Sequence, residues 1–394
     1  MVLRVDISPE MLQWAIDRSR RTDAEIERAV PQLPAWEAGE AKPTLKQLQK
    51  FARATYTPLG YLLMDHPPVE GLPIPDFRTI RDTGITNPSP NLLDTIYICE
   101  QRQEWYQEFS ARHQFDPVAF VGSAGPEDDP SEVAEDMRET LGFTFEARQN
   151  YRAWSEALRS LIDLVESTGV LVMVSGIVGS NTHRVLDPKE FRGFTLVDSH
   201  APLIFINGTD TKAAQIFTMA HELAHVWVGQ SGVDKPELEA TGDGFGATSS
   251  SRGDQAALER WCNRVAAEFL LPSELLPDEL SGPTLTDDLD RLAKTFKVST
   301  LVVLRRLFDA DMFSWDDYRT AYVDELARVI ELAATAGSGG NYYNTQPLRV
   351  SRRFARALIS DTLEGQTLHR DAFHLLGVRK AATFQSFGEE LGVA

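Results

Sequence analysis

Cysteine is scarce in this chain. Cys99 and Cys262 are the only two in 394 residues and stand far apart in sequence, which excludes a disulfide framework and suits a reducing cytoplasm. Long apolar runs are missing too. None approaches the roughly 20 residues that a membrane-spanning helix needs, and Asp6 falls where a signal peptide would carry its apolar stretch. Positive charge is in deficit, with 39 Lys and Arg against 58 Asp and Glu and a net charge of −19. A surface that grips nucleic acid all over is therefore excluded, because phosphate contacts need basic residues in excess on at least one face. A cytoplasmic protein of two or three domains is expected from these limits. The densest basic row, Arg349, Arg352, Arg353 and Arg356, has helical spacing and reads as a solvated helix face.

The chain divides by composition into four parts. Residues 1–65 read as short helices, Pro9 to Arg20, Asp23 to Val30 and Thr44 to Thr55, with Thr22 or Asp23 and Thr44 as N-caps. The segment Trp36-Glu37-Ala38-Gly39-Glu40-Ala41-Lys42-Pro43-Thr44 resembles the turn of an Xre-type helix-turn-helix unit. DNA binding by that unit is weakly supported, because Pro31 and Pro34 interrupt the stretch where a recognition helix would lie. Nine acids also match its nine bases through Asp65. Residues 66–125 form an extended strap, Leu72-Pro73-Ile74-Pro75-Asp76-Phe77-Arg78-Thr79, and a long helix from about Asn91 to Gln114. Residues 126–335 carry helices near 131–141 and 151–168 and probable strands Gly169 to Val174, Phe191 to Val197 and Leu203 to Asn207. Residues 336–394 form a last helical segment beyond the Gly337-Ser338-Gly339-Gly340 joint. The fold class expected is α+β, mostly helical, with a small antiparallel or mixed sheet packed on one central helix.

That helix contains His221-Glu222-Leu223-Ala224-His225, flanked by apolar residues on both sides. Residues four apart share one helix face, so His221 and His225 can turn imidazole nitrogens toward one Zn2+ ion. Glu222 sits one step round, where it reaches a water at the metal rather than the metal itself, as a general base must. With eight histidines in the chain, this spacing rarely arises by chance. A third ligand is needed, and Glu259 is the first choice, on a second amphipathic helix that ends at Pro272. Asn263, one turn on, would orient a ligand. Glu268 is the reserve ligand, and Cys262 is expected to point away as a buried thiol.

Taken with the strap and the strand Pro202-Leu203-Ile204-Phe205-Ile206-Asn207, these motifs resemble the ImmA/IrrE family of metallo-endopeptidases, in the branch that joins an Xre-like N-terminus to the peptidase domain. The resemblance implies a zincin-type fold, a zinc hydrolase with His221, His225 and Glu259 as ligands and Glu222 as catalytic base. It also implies a protein substrate of the repressor kind in stress response or mobile-element control. Relatives of this architecture also stand beside toxin genes, so the rival reading is an antitoxin or transcriptional regulator of a toxin-antitoxin pair that acts by partner or DNA binding. Several further expectations can be checked against the fold. The strand Phe191 to Val197 would be an edge that accepts substrate. Ser231 to Asp254 would be a flap or a plain loop. His183, His200, Tyr342 and Tyr343 are unranked candidates for the oxyanion. Leu292 to Leu307, though helix-turn-helix in cadence, would pack in the core.

Overall fold

A computed structural model describes residues 4–75, 88–234, 250–277, 279–335 and 348–393. Two compact units emerge, Met1–Pro73 with Thr83–Tyr97, and Ile74–Asp82 with Ile98–Ala394.

The first unit is built from helices α1 (Pro9–Ser19), α2 (Asp23–Ala29), α3 (Leu33–Glu37) and α4 (Leu45–Ala54). Thr22 and Thr44 cap helices where the sequence puts them. Ser8, Thr22 and Thr44 precede α1, α2 and α4, and Thr22 and Thr44 form capping boxes with Glu25 and Gln47. Leu12, Ile16, Ile26, Leu33, Trp36, Leu48 and Phe51 close its core. Where the Xre resemblance would put a recognition helix stands α3, five residues long with Pro34 in its first turn.

Helix α5 (Pro90–Arg112) leads into the second unit, where α6 (Pro130–Leu141), α7 (Phe145–Gln149) and α8 (Trp154–Ser167) precede the sheet. The strands are β1 (Leu171–Ser175), β2 (Gly193–Leu196), β3 (Leu203–Asn207) and β4 (Gly232–Asp234), in the order β1-β3-β2-β4. β1 runs parallel to β3, whereas β2 is antiparallel to both β3 and β4. The expected α+β class with a small mixed sheet is what forms.

The edge expected at Phe191 to Val197 is not an edge. β4 pairs with Gly193, Phe194 and Thr195, so β2 lies inside the sheet. β4 is too short, and too near a stretch rich in Gly and Ser, for its periodicity to be read. Its Val233 N–H points outward and donates to the Pro75 carbonyl at 2.9 Å. Pro75 has no N–H to return, so the ladder stops there.

Between β3 and β4 runs α9 (Lys212–Val228), and after β4 comes α10 (Ser250–Leu270). The expected 231–254 loop is therefore strand at one end and helix at the other, with 235–249 outside the described residues. α9 and α10 pack on each other, with α6 against α10 and α8 against α9. Next are α11 (Leu285–Phe296) and α12 (Thr300–Asp309), whose Leu292, Phe296, Val302, Val303 and Leu307 enter the same core as α9. The helix-turn-helix cadence there serves packing, as expected.

Then follow α13 (Trp315–Thr335), α14 (Arg352–Leu363), α15 (His369–Leu376) and α16 (Ala381–Leu391). The arginine row at the start of α14 is only in part the solvated face expected of it, with Arg356 exposed and Arg352 and Arg353 half-buried. Arg353 donates to Tyr106 Oη and the Glu166 carbonyl, Arg356 to the Leu391 carbonyl, and Arg352 pairs with Asp163. Helical spacing announced a face without saying what covers it.

Candidate metal centre

α9 is buried over nearly its whole length, from Gln215 to Trp227. Its ends are closed by local chemistry. Thr211 accepts from the Ala214 N–H at the start, and Gly229, at φ 77°, turns the chain at the end. Only glycine suits that turn. A Cβ at 229 would also lie 3.0 Å from Gly122 Cα, in the loop whose Gly122 and Ala124 N–H groups satisfy the Val226 and Trp227 carbonyls. The Trp227 ring stacks on Phe120 at 3.9 Å between centroids and donates to Asp136. The helix is thereby fixed in rotation, and with it the direction of its histidines.

His221 and His225 bring their Nε2 atoms within 3.1 Å of each other. α10, packed alongside, presents Glu259, whose carboxylate oxygens lie 3.3 Å from His221 Nε2 and 3.2 Å from His225 Nε2. All three residues are buried. Metal–ligand bonds of about 2.0–2.1 Å at tetrahedral angles separate donors by roughly 3.3–3.4 Å, close to this triangle. Two imidazoles and one carboxylate are also a donor set that borderline divalent ions take.

The electrostatics agree with that fit. Burial alone would raise the Glu259 carboxyl, but the His225 and His221 imidazoles hold it well below the usual carboxylate range. Burial likewise opposes charge on His225, yet Cys262 and Glu259 push it well above the usual imidazole range. Both directions show a buried cluster that stabilises positive charge, which a metal cation supplies.

Glu222 is turned away from the other three by its place on the helix and reaches β2 instead. Thr195 Oγ1 donates to its Oε2 at 2.6 Å and to its main-chain carbonyl at 3.2 Å. Gly193 makes room for the other oxygen, since a Cβ there would stand 2.6 Å from Glu222 Oε1 and 3.0 Å from the Phe205 carbonyl. The sequence offered no signal for these two beyond a glycine in a short strand. Cys262 faces the far side of the His225 ring, with Sγ 3.9 Å from Nδ1. It is thus off the side on which the two Nε2 atoms meet, as expected, but against the His225 ring.

The remaining candidates lie elsewhere. Asn263 Oδ1 is buried with no hydrogen bond among the described residues, so no ligand is seen to be oriented by it. The Glu222 carboxylate is held from β2, across the sheet rather than along the helix. Glu268 is two and a half turns beyond Glu259 and pairs with Arg306 of α12 and with Ser273. Its carboxylate joins helices rather than the triad. His200 contacts Ser199 and Asp198 in the turn after β2. His183 lines a separate cleft. Tyr342 and Tyr343 lie outside the described residues.

The arrangement is a buried group of three side chains able to hold a metal ion, with an acid beside it. Residues 165–308, which include the whole triad and Glu222, match the M78 peptidase family model described as an IrrE N-terminal-like domain. Residues 350–390 match a domain of unknown function. No curated protein and no solved structure matches the chain. The first match supports the ImmA/IrrE resemblance and a metallopeptidase, whose substrate is by definition a protein. Among the described residues no helix is long and apolar enough to cross a membrane.

Proposed function

We propose that this chain is a zinc-dependent endopeptidase that cleaves a regulatory protein of the repressor kind, with His221, His225 and Glu259 as metal ligands and Glu222 as general base. The observation that carries the reading is the donor triangle of 3.1, 3.2 and 3.3 Å inside the segment that matches a peptidase model. Zinc in such a site supplies Lewis-acid activation of water and of the scissile carbonyl.

The chain's own residues do the rest. Glu222 takes a proton from the attacking water and returns it to the leaving amine. Thr195, by donating to Glu222 Oε2, fixes the carboxylate. The buried walls of α9 and α10 exclude bulk water around the ligands. The Xre-like N-terminal unit is assigned to recognition or positioning of a protein partner rather than to reading DNA, because α3 is too short to lie along a groove.

Elemental analysis and cleavage of a proteome-derived peptide library test the reading together. Wild type and Glu222→Gln should both hold about one zinc per chain, whereas Glu259→Ala should lose most of it. Cleavage should fall about 10²–10⁴-fold in Glu222→Gln. Undiminished cleavage by Glu222→Gln would sink the mechanism.

A further inference from the structure

A second concave site lies in the larger unit. Its walls are the Ser180–His183 loop and the turn that joins α15 to α16, and the cleft measures about 780 Å³. Arg379, Lys380, His183 and His374 line it, and no carboxylate does. In a chain of net charge −19, such a lining is unlike the composition around it. The side chains of Arg379, Lys380, His183 and His374 make no hydrogen bond or ion pair among the described residues. Elsewhere in this unit arginines are largely spent on carboxylates and carbonyls, as at Arg306 and Arg353. Arg379 and Lys380 are exposed and open to a ligand from solution.

The walls are built rather than loose. Ser180 Oγ donates to the Gly377 carbonyl at 2.8 Å. Gly377 has φ 68°, and a Cβ there would come within 2.6 Å of Ser180 Oγ, so the close approach of loop and turn requires glycine. Within the loop, Val178 N–H donates to the Arg184 carbonyl at 2.9 Å, and His183 N–H to Asn181 Oδ1 at 3.0 Å. On the opposite wall Lys380 is the N-cap of α16 and makes no side-chain cap bond, while Thr383 of the first turn lines the cleft. The partial positive charge of that helix end adds to Arg379 and Lys380.

We infer that this cleft binds a phosphate-bearing small molecule of nucleotide size. Guanidinium and ammonium groups beside helix N–H donors form a phosphate-binding set. The volume far exceeds one phosphate and falls in the range of pockets for small organic ligands. Phe373, half-buried and packed on Phe384 at 5.4 Å between centroids, offers a flat apolar face for a base, and Asn181 offers an amide for its edge. One wall belongs to the segment that matches the peptidase model and the other to the segment that matches a domain of unknown function. A ligand there bridges the two. The inference is independent of whether the metal centre cleaves anything.

Isothermal titration of the full chain with ATP, AMP, inorganic phosphate and a short DNA duplex tests it. One nucleotide should bind saturably at one site per chain, at least tenfold tighter than inorganic phosphate. Arg379→Glu and Lys380→Glu should each weaken it tenfold or more; both residues are exposed, and thermal melts check folding. Asn181→Asp, which keeps the acceptor of the turn, should weaken it as well. Arg370→Glu, the same charge change at an exposed residue outside the lining, should leave it unaltered. The proposal is overturned if no nucleotide binds saturably, if Arg370→Glu weakens binding equally, or if phosphate alone or duplex DNA binds as tightly as any nucleotide.

Discussion

Glu222 is held by Thr195 and given room by Gly193, both on a neighbouring strand, so its setting is sensitive to changes on β2 as well as on α9. Gly193→Ala places a methyl against Glu222 Oε1 and the Phe205 carbonyl, and the carboxylate must move. Cleavage should fall about a hundredfold, the cost of a displaced catalytic group, with zinc content unchanged. Thr195→Val removes the bond to Oε2 and should cost roughly 10–100-fold, the usual range for a partner behind a reacting group. Loss of metal in either variant would show that β2 supports the ligands themselves. Metal affinity should also depend on pH. Glu259 and Cys262 favour a proton on His225, and an entering ion must displace it, so affinity falls as pH drops, by about tenfold per unit for each proton displaced. Chelator competition between pH 6 and 8 measures this, and a flat profile would contradict it.

At the scale of elements, α9 and α10 bring His221, His225 and Glu259 together, while α8 and α14 share a buried titratable contact. Ser351, the N-cap of α14, donates to Glu166 of α8. Burial pushes the Glu166 carboxyl up to about 7, against the bonds from Ser351, Val172 and Arg353. A folded-state value above the unfolded one gives stability that is complete below about pH 4.5 and is lost as pH rises through about 7. Glu166→Gln keeps an acceptor for Ser351 and carries no charge. It should therefore be more stable than wild type at pH 8 by roughly 1–3 kcal/mol and close to it at pH 5. Urea unfolding at the two pH values decides, and equal effects at both would rule out ionisation as the cause. The element boundaries themselves were legible where local chemistry marks them. Thr22 and Thr44 cap the starts of helices, and Pro272 follows the end of α10. α7 and β4 escaped notice because five and three residues are too few to establish a period.

Over the whole molecule, a metal held as proposed would tie α9 to α10, two helices separated in sequence by β4. An ion that binds only the folded state stabilises it by about 2.7 kcal/mol when present at a hundred times its dissociation constant. Chelation should accordingly lower the melting temperature of wild type by several degrees and leave Glu259→Ala almost unmoved. A chelator effect of equal size in the variant would place the stabilising ion elsewhere. The formal charge of −19 argues against a generally basic surface, yet composition averages away the cleft around Arg379 and Lys380. Net charge is a sum, and binding responds to where the charges stand.

The amino-acid sequence by itself determined the pair His221 and His225, because spacing along one helix is local geometry and needs no other part of the chain. It determined in the same way the α+β class and the main strands. Glu259 was legible as a helix-borne acid, but only packing of α10 on α9 brought its carboxylate to 3.2 Å from His225. Tertiary structure alone decided that Glu268 and Arg306 join helices, that β2 lies inside the sheet, and that Gly193 and Thr195 shape the setting of Glu222. Such contacts join residues far apart in sequence. They depend on which faces pack together, and the periodicity of one segment does not specify the face of another.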